Sequence, residues 1–204
     1  MRAGLYKETV FSMTQSLLLR TLVALCMIFA LAACNKQPPP FRSTALPDVK
    51  WGKDFELDAH TGQRLRSADY RGKVLVLFFG YTHCPDICAP ALAKLAQLSK
   101  VLGEDARRVQ VLFISVDPQH DSPAQLKKFL AGFDPGFIGL TGTLEELGTV
   151  AADHMVFFKQ AKNGHVDHTG MMFVKDQKGR LRLLMKESAP LDDMLHDLRL
   201  LLAE

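Results

Sequence analysis

Cysteine is scarce in this chain: there are four in 204 residues, too few for a disulfide-stapled scaffold. An excess of one charge is also lacking. The chain has 25 Lys and Arg against 22 Asp and Glu. Arg2, Lys7, Arg20 and Glu8 fall in residues 1–34; taking those three from 25 and that one from 22 leaves 22 against 21, a net +1. A remainder so close to neutral gives no electrostatic footprint for nucleic acid. There are no internal repeats, and the eight methionines are not gathered into a metal-binding tract. The apolar run TLVALCMIFALAA at 21–33 falls short of the ~20 residues a spanning helix needs.

That run has a different use. Arg20 precedes it, and it ends in Leu31-Ala32-Ala33-Cys34. A charged start, a short apolar run and small residues at the end describe a secretory signal. The last four residues resemble a bacterial lipobox, which implies lipidation of Cys34 and removal of everything before it, Cys26 included. Two alternatives are an ordinary signal cut after Ala33 and a longer apolar anchor. Residues 1–12 are dispensable to this reading, with Met13 giving a more usual signal length. Asn35 follows the cysteine; in enteric-type sorting that resembles an outer-membrane signal. Residues 35–48 hold four prolines and little apolar periodicity, so they are expected to be an extended tether. The expected organisation is thus a signal with lipobox at 1–34, a tether at 35–48 and one domain at 49–204, on the periplasmic side of a membrane. About 150 residues suffice for a hydrophobic core.

Within the domain, strands and helices alternate. DFELD (54–58) reads as a short strand, with a turn at His60-Thr61-Gly62 before a second. VLVLFFG (74–80) is continuously apolar, which predicts a central strand covered on both faces. A helix is expected over about 86–102, with Leu92, Leu95, Leu98 and Leu102 on one stripe. VQVLFISV (109–116) repeats the buried-strand pattern. Ser122-Pro123-Ala124-Gln125 and Thr143-Leu144-Glu145-Glu146 both carry capping-box spacing ahead of helices. HMVFFK (154–159), MMFVKD (171–176) and RLRLLM (180–185) read as strands, the last two joined by a hairpin turn. Leu191, Met194, Leu195, Leu198 and Leu202 predict a closing amphipathic helix. The order implies an α/β domain with a mixed, parallel-rich central sheet and helices on both faces.

The chemistry concentrates in GYTHCPDIC (80–88). Cys84 and Cys88 lie at a strand-to-helix junction, where a helix N-terminus favours thiolate. Thiolate is both a nucleophile and a ligand for soft metals, so the pair suits redox or metal work. The alternative is two structural cysteines or a structural disulfide. A C-x-x-C pair is the usual spacing for dithiol exchange; here one more residue intervenes and Pro85 stiffens it. Two thiolates alone serve linear Cu(I) and little else, so a third ligand is wanted. His168, in VDHTG before the 171–176 strand, is the candidate, although a lone loop histidine is ordinarily solvated surface. A redox pair opening a helix after a central strand narrows the fold to thioredoxin-like. His83 and Asp86 flank the cysteines, each open to use as a fourth ligand, a supporting partner or a polar surface residue, with the last two favoured, and Asp167 is a candidate to orient His168. Asp117-Pro118 closes a strand next to the expected site, where a plain turn is at least as good a reading. His60, His120, His154, His165 and His196 show no ligand spacing and read as surface or packing residues.

GKVLVLFFGYTHCPDIC, VLFISVDPQHDSP, GLTGT and VDHTGMMFVKDQKGR together resemble the Sco/SenC family in order and spacing, over roughly residues 52–200. The resemblance implies a membrane-tethered, thioredoxin-like copper protein serving the dinuclear copper centre of cytochrome c oxidase. It implies that Cys84, Cys88 and His168 bind Cu(I) or Cu(II). The implied partners are oxidase subunit II or another copper-receiving protein, and other periplasmic copper chaperones. Two positions depart from the family pattern: Ala89 stands where proline is frequent, and Thr169 where serine is. The cis-proline usual in thioredoxins is also missing at 169–170, which speaks against ordinary dithiol exchange. The competing class is an enzyme, a thiol–disulfide oxidoreductase that keeps a partner's cysteines reduced. A peroxidase is disfavoured, since 80–90 lacks an activating Arg and Thr. Zinc is disfavoured because a structural site wants four firm ligands.

Overall fold

The computed structural model describes residues 40–160, 166–168 and 170–204, with only the backbone described at 159–160 and 166–168. Cys34 and the signal and lipobox expectations lie outside these residues. No helix among the described residues is long and apolar enough to cross a membrane.

The chain runs β1 (Thr44–Ala45), β2 (Glu56–Ala59), β3 (Arg64–Arg66), β4 (Val74–Gly80), α1 (Cys88–Leu102), β5 (Val109–Ser115), α2 (Pro123–Leu130), β6 (Ile138–Thr141), α3 (Leu144–Asp153), β7 (Phe158–Gln160), β8 (Val166–His168), β9 (Met171–Lys175), β10 (Leu181–Lys186) and α4 (Leu191–Leu202). Eight strands form one mixed sheet in the order β1-β10-β9-β4-β5-β6-β2-β3, and β7 pairs with β8 separately. This is a thioredoxin-like fold. β4 and β5 run parallel, with Val74 opposite Val109 and Gly80 opposite Ser115. All seven residues of β4 are buried, as the unbroken apolar run requires. Val76 and Phe78 pack under α1, α2 and α4. Leu75, Leu77 and Phe79 face α3 on the other side. Each such side chain contributes about 1.5–3 kcal/mol when fully withdrawn from water.

The caps hold in different degrees. Thr143 and Glu146 form a complete capping box on α3. Ser122 accepts from the Gln125 amide on α2, but the Gln125 side chain turns to Thr82 Oγ1 at 3.4 Å rather than back to the cap.

Three elements differ from expectation. The strand expected over 154–159 starts only at Phe158. Its first residues instead end α3. Val156 N–H bonds to Ala151 O (2.8 Å) and Met155 N–H to Ala152 O (3.1 Å). Met155 takes φ 56, the left-handed position that usually signals itself by glycine. β6 was not legible, being four residues long and interrupted by Gly139. Finally, residues 42–46 of the Pro-rich stretch belong to the packed domain. The Arg42 and Ser43 amides donate to the buried Asp197 carboxylate at 2.8 and 2.7 Å, and Thr44 and Ala45 pair with β10.

Candidate metal centre

The last residue of β4, Gly80, stands where nothing larger fits. A Cβ there would stand 2.7 Å from Cys88 Sγ and 2.8 Å from Phe113. The chain then turns, with Cys84 N–H bonded to Tyr81 O at 3.3 Å, and enters α1 at Cys88. Cys84 is therefore not on the helix. It lies one turn ahead of it, half-buried, while Cys88 is fully buried in the first helical turn. The two are thiols, not joined by a disulfide.

Their environments oppose each other. Burial alone would raise the Cys84 thiol, but the N–H groups of Asp86, Cys88 and Ile87 and the Cys88 side chain hold it below the usual thiol range. Burial drives Cys88 far above that range, with the charges of Cys84 and Asp121 adding to the rise and the Tyr81 backbone opposing it. The loop thus favours thiolate on Cys84 and disfavours it on Cys88. Asp86 serves through its backbone amide; its side chain is exposed.

The expected third residue comes from β8, whose last residue is His168. The side chains of His168 and Asp167 lie outside the described residues. The chain after β8 does approach the cysteine loop: a Cβ on Gly170 would stand 2.9 Å from Ile87 Cδ1. Ile87 directly precedes Cys88 in the chain, so the residue two past His168 packs beside the entry to α1.

A second group of residues closes the loop from the β5 side. Because β4 and β5 are parallel and Gly80 is level with Ser115, residues 81–84 and 116–121 leave the same edge of the sheet. The fully buried Asp121 carboxylate accepts from Thr82 Oγ1 (2.6 Å), Thr82 N–H (3.1 Å) and Ser115 Oγ (2.7 Å). Ser115 Oγ in turn accepts from Asp117 N–H at 3.0 Å. Asp117 is buried and meets His120 Nδ1 at 2.8 Å and His83 Nε2 at 3.2 Å. His83, flagged as a candidate partner of the cysteines, is thus engaged with Asp117 and with the Tyr81 ring, centroids 4.8 Å apart. Asp121 and His120 were missed. The available signal was position: polar residues directly after a fully buried parallel strand sit at the carboxyl edge, where α/β sites form.

A profile of the SCO1/SenC family matches residues 43–203. The chain belongs to the SCO1/SenC family. The SCO2-like protein of Rickettsia felis is 32% identical over 154 residues, covering 72% of this chain and 75% of its own. Among solved structures, copper-bound ScoI of Bradyrhizobium japonicum aligns with TM-score 0.67 and 34% identity over 73% of this chain and 98% of its own. Apo Sco1 of Thermus thermophilus aligns with TM-score 0.72 and 35% identity over 79% and 97%.

Proposed function

We propose that this chain is a copper metallochaperone that receives copper on Cys84 and Cys88, with His168 as third ligand. It passes the ion to the dinuclear copper centre of cytochrome c oxidase, through subunit II. The observation that carries the reading is the loop itself. It holds two thiols, not disulfide-bonded, in a shell where backbone N–H groups favour negative charge on Cys84. Such sulfurs suit Cu(I), which takes two or three soft ligands. The packing of Gly170 on Ile87 supports His168 as the neighbour that closes a trigonal set, and an imidazole would let the same site hold Cu(II). The copper-bound ScoI relative supports the choice of metal. Delivery would proceed by ligand exchange. Two-electron oxidation of the pair to a disulfide would remove both thiolates, so redox state gates loading. The Leu31-Ala32-Ala33-Cys34 sequence supports a lipid tether on the periplasmic side.

The test is copper titration of the reduced protein with metal counting and an absorption spectrum. One Cu(I) should bind with sulfur ligation. Retention of that equivalent in Cys84→Ser would end the reading.

The unequal thiols favour a second reading, thiol–disulfide exchange, in which Cys84 attacks a partner's disulfide and buried Cys88 resolves it. His168→Ala separates the two. A chaperone loses copper affinity while its disulfide potential stays put; an oxidoreductase shows the reverse.

A further inference from the structure

Beside the cysteines, the described residues hold another set of donors. His83, Asp117 and His120 each offer a ligand atom, and these atoms all lie within 4.8 Å of one another. The three come from two loops, 81–87 after β4 and 116–121 after β5, so the cluster exists only because the parallel pair brings these loops together. Asp117 is its fixed point. Its side chain is 2% exposed, and its amide is anchored on Ser115 Oγ. A buried carboxylate needs a positive partner to offset lost hydration. Among the described residues, no lysine or arginine pairs with it; its nearest such neighbours are the two imidazoles.

The spacing suits an ion. Asp117 Oδ2 stands 2.8 Å from His120 Nδ1 and 3.2 Å from His83 Nε2. Ligands at 2.0–2.1 Å around a tetrahedral metal lie roughly 3.3 Å from each other. A cation could therefore seat among these donors with little movement of the anchored carboxylate. The imidazoles are held edge to face, His83 against Tyr81 and against His120, the latter with centroids 5.1 Å apart. Their side chains are 45% and 56% exposed, which leaves a coordination position open to water.

We propose that His83, Asp117 and His120 form a second metal site, distinct from the cysteine site, that takes an exchangeable divalent ion, Cu(II) in preference to Zn(II). Two imidazoles and a carboxylate are borderline-to-hard donors, unsuited to Cu(I) and suited to these ions, among which Cu(II) binds most strongly. The open position makes the site one for loading and release rather than a structural clamp. The inference stands apart from the cysteine reading, since none of its ligands is a thiol.

The experiment uses full-length protein carrying Cys84→Ser and Cys88→Ser, equilibrated separately with Cu(II) and with Zn(II). Metal is counted after dialysis, and the copper form is examined by electron paramagnetic resonance. One Cu(II) should remain, with nitrogen hyperfine structure and no sulfur-to-copper charge-transfer band. Zn(II) should bind at the same site more weakly. Adding His120→Ala should weaken Cu(II) at least tenfold. His120→Gln, which keeps a hydrogen-bonding side chain but not the imidazole, should do the same, and so separates ligation from folding. The proposal is overturned if the double variant retains no Cu(II), or if neither His120 variant nor His83→Ala alters the affinity. Failure of the cysteine reading would show independently, as equal Cu(I) binding by wild type and the double variant.

Discussion

The two ends of the central sheet solve the same problem differently. At the amino end of β4, buried charges meet opposite charges. Lys175, 0% exposed, lies 4.0 Å from Asp54 and donates to Lys53 O at 2.8 Å. Asp176 is clasped by Arg180 and Arg182 at 2.7 and 3.2 Å. At the carboxyl end, Asp121 is satisfied by hydroxyls and an amide, and Asp117 by two half-exposed imidazoles. Arginine and lysine cannot give way to a metal; thiols and imidazoles can. The first end is closed electrostatically and the second is left exchangeable, which is what a site for an arriving and departing ion requires.

The largest effect should come from the carboxyl end. Cys88→Ser replaces a soft ligand with a hard one, and copper affinity should fall at least ~1000-fold, about 4 kcal/mol, in a competition titration against a Cu(I) chelator. An unchanged affinity would deprive that end of its exchangeable character. Next is Asp121→Ala. It strands the hydroxyls of Thr82 and Ser115 and the Thr82 amide, and should cost about 3 kcal/mol in urea unfolding, loosening the cysteine loop with it. A cost under ~0.5 kcal/mol would mean that the buried carboxylate is not what holds the loop.

The amino end is tested by pH. Burial, with Arg71 adding to it and Asp54 opposing, lowers Lys175 to about 8 from an ordinary 10.5. Between those values the unfolded chain binds the proton and the folded chain does not, so stability rises with pH through this window. Wild type should therefore gain on the order of 1–3 kcal/mol relative to Lys175→Met between pH 7.5 and 10.5, read from paired urea titrations. A parallel course of the two proteins would show Lys175 to be fully charged and the ion pair tight. The smallest effect lies away from both ends. Thr143→Ala removes the α3 capping box and should cost about 1 kcal/mol in thermal unfolding without altering copper binding.

Much of the architecture was legible because it is written in local pattern. Seven consecutive apolar residues made β4 a covered central strand. Leucines at helical spacing made α1, whose Leu92, Leu95, Leu98 and Leu102 are all buried. Thr143 and Glu146 announced the start of α3. The end of α3 was not announced, because Met155 occupies the left-handed position where glycine would have been read. Cys84 and Cys88 were legible as a candidate site through their place between an apolar run and a helical stripe. What they differ in was not: periodicity says nothing about which sulfur the backbone amides surround.

Sequence alone therefore determined the helices and the central strands, though not β1 or β6, and that two cysteines lie where a buried strand gives way to a helix. Those properties depend on neighbours within a few residues. Only the tertiary structure decided that Thr82 and Ser115 share Asp121, that His83 and His120 meet at Asp117, and that Asp197 on the last helix holds the amides of Arg42 and Ser43. These contacts join residues up to 155 positions apart. They exist because the parallel register of β4 and β5 aligns two chain exits, and because a desolvated carboxylate must take whichever donors the fold carries to it.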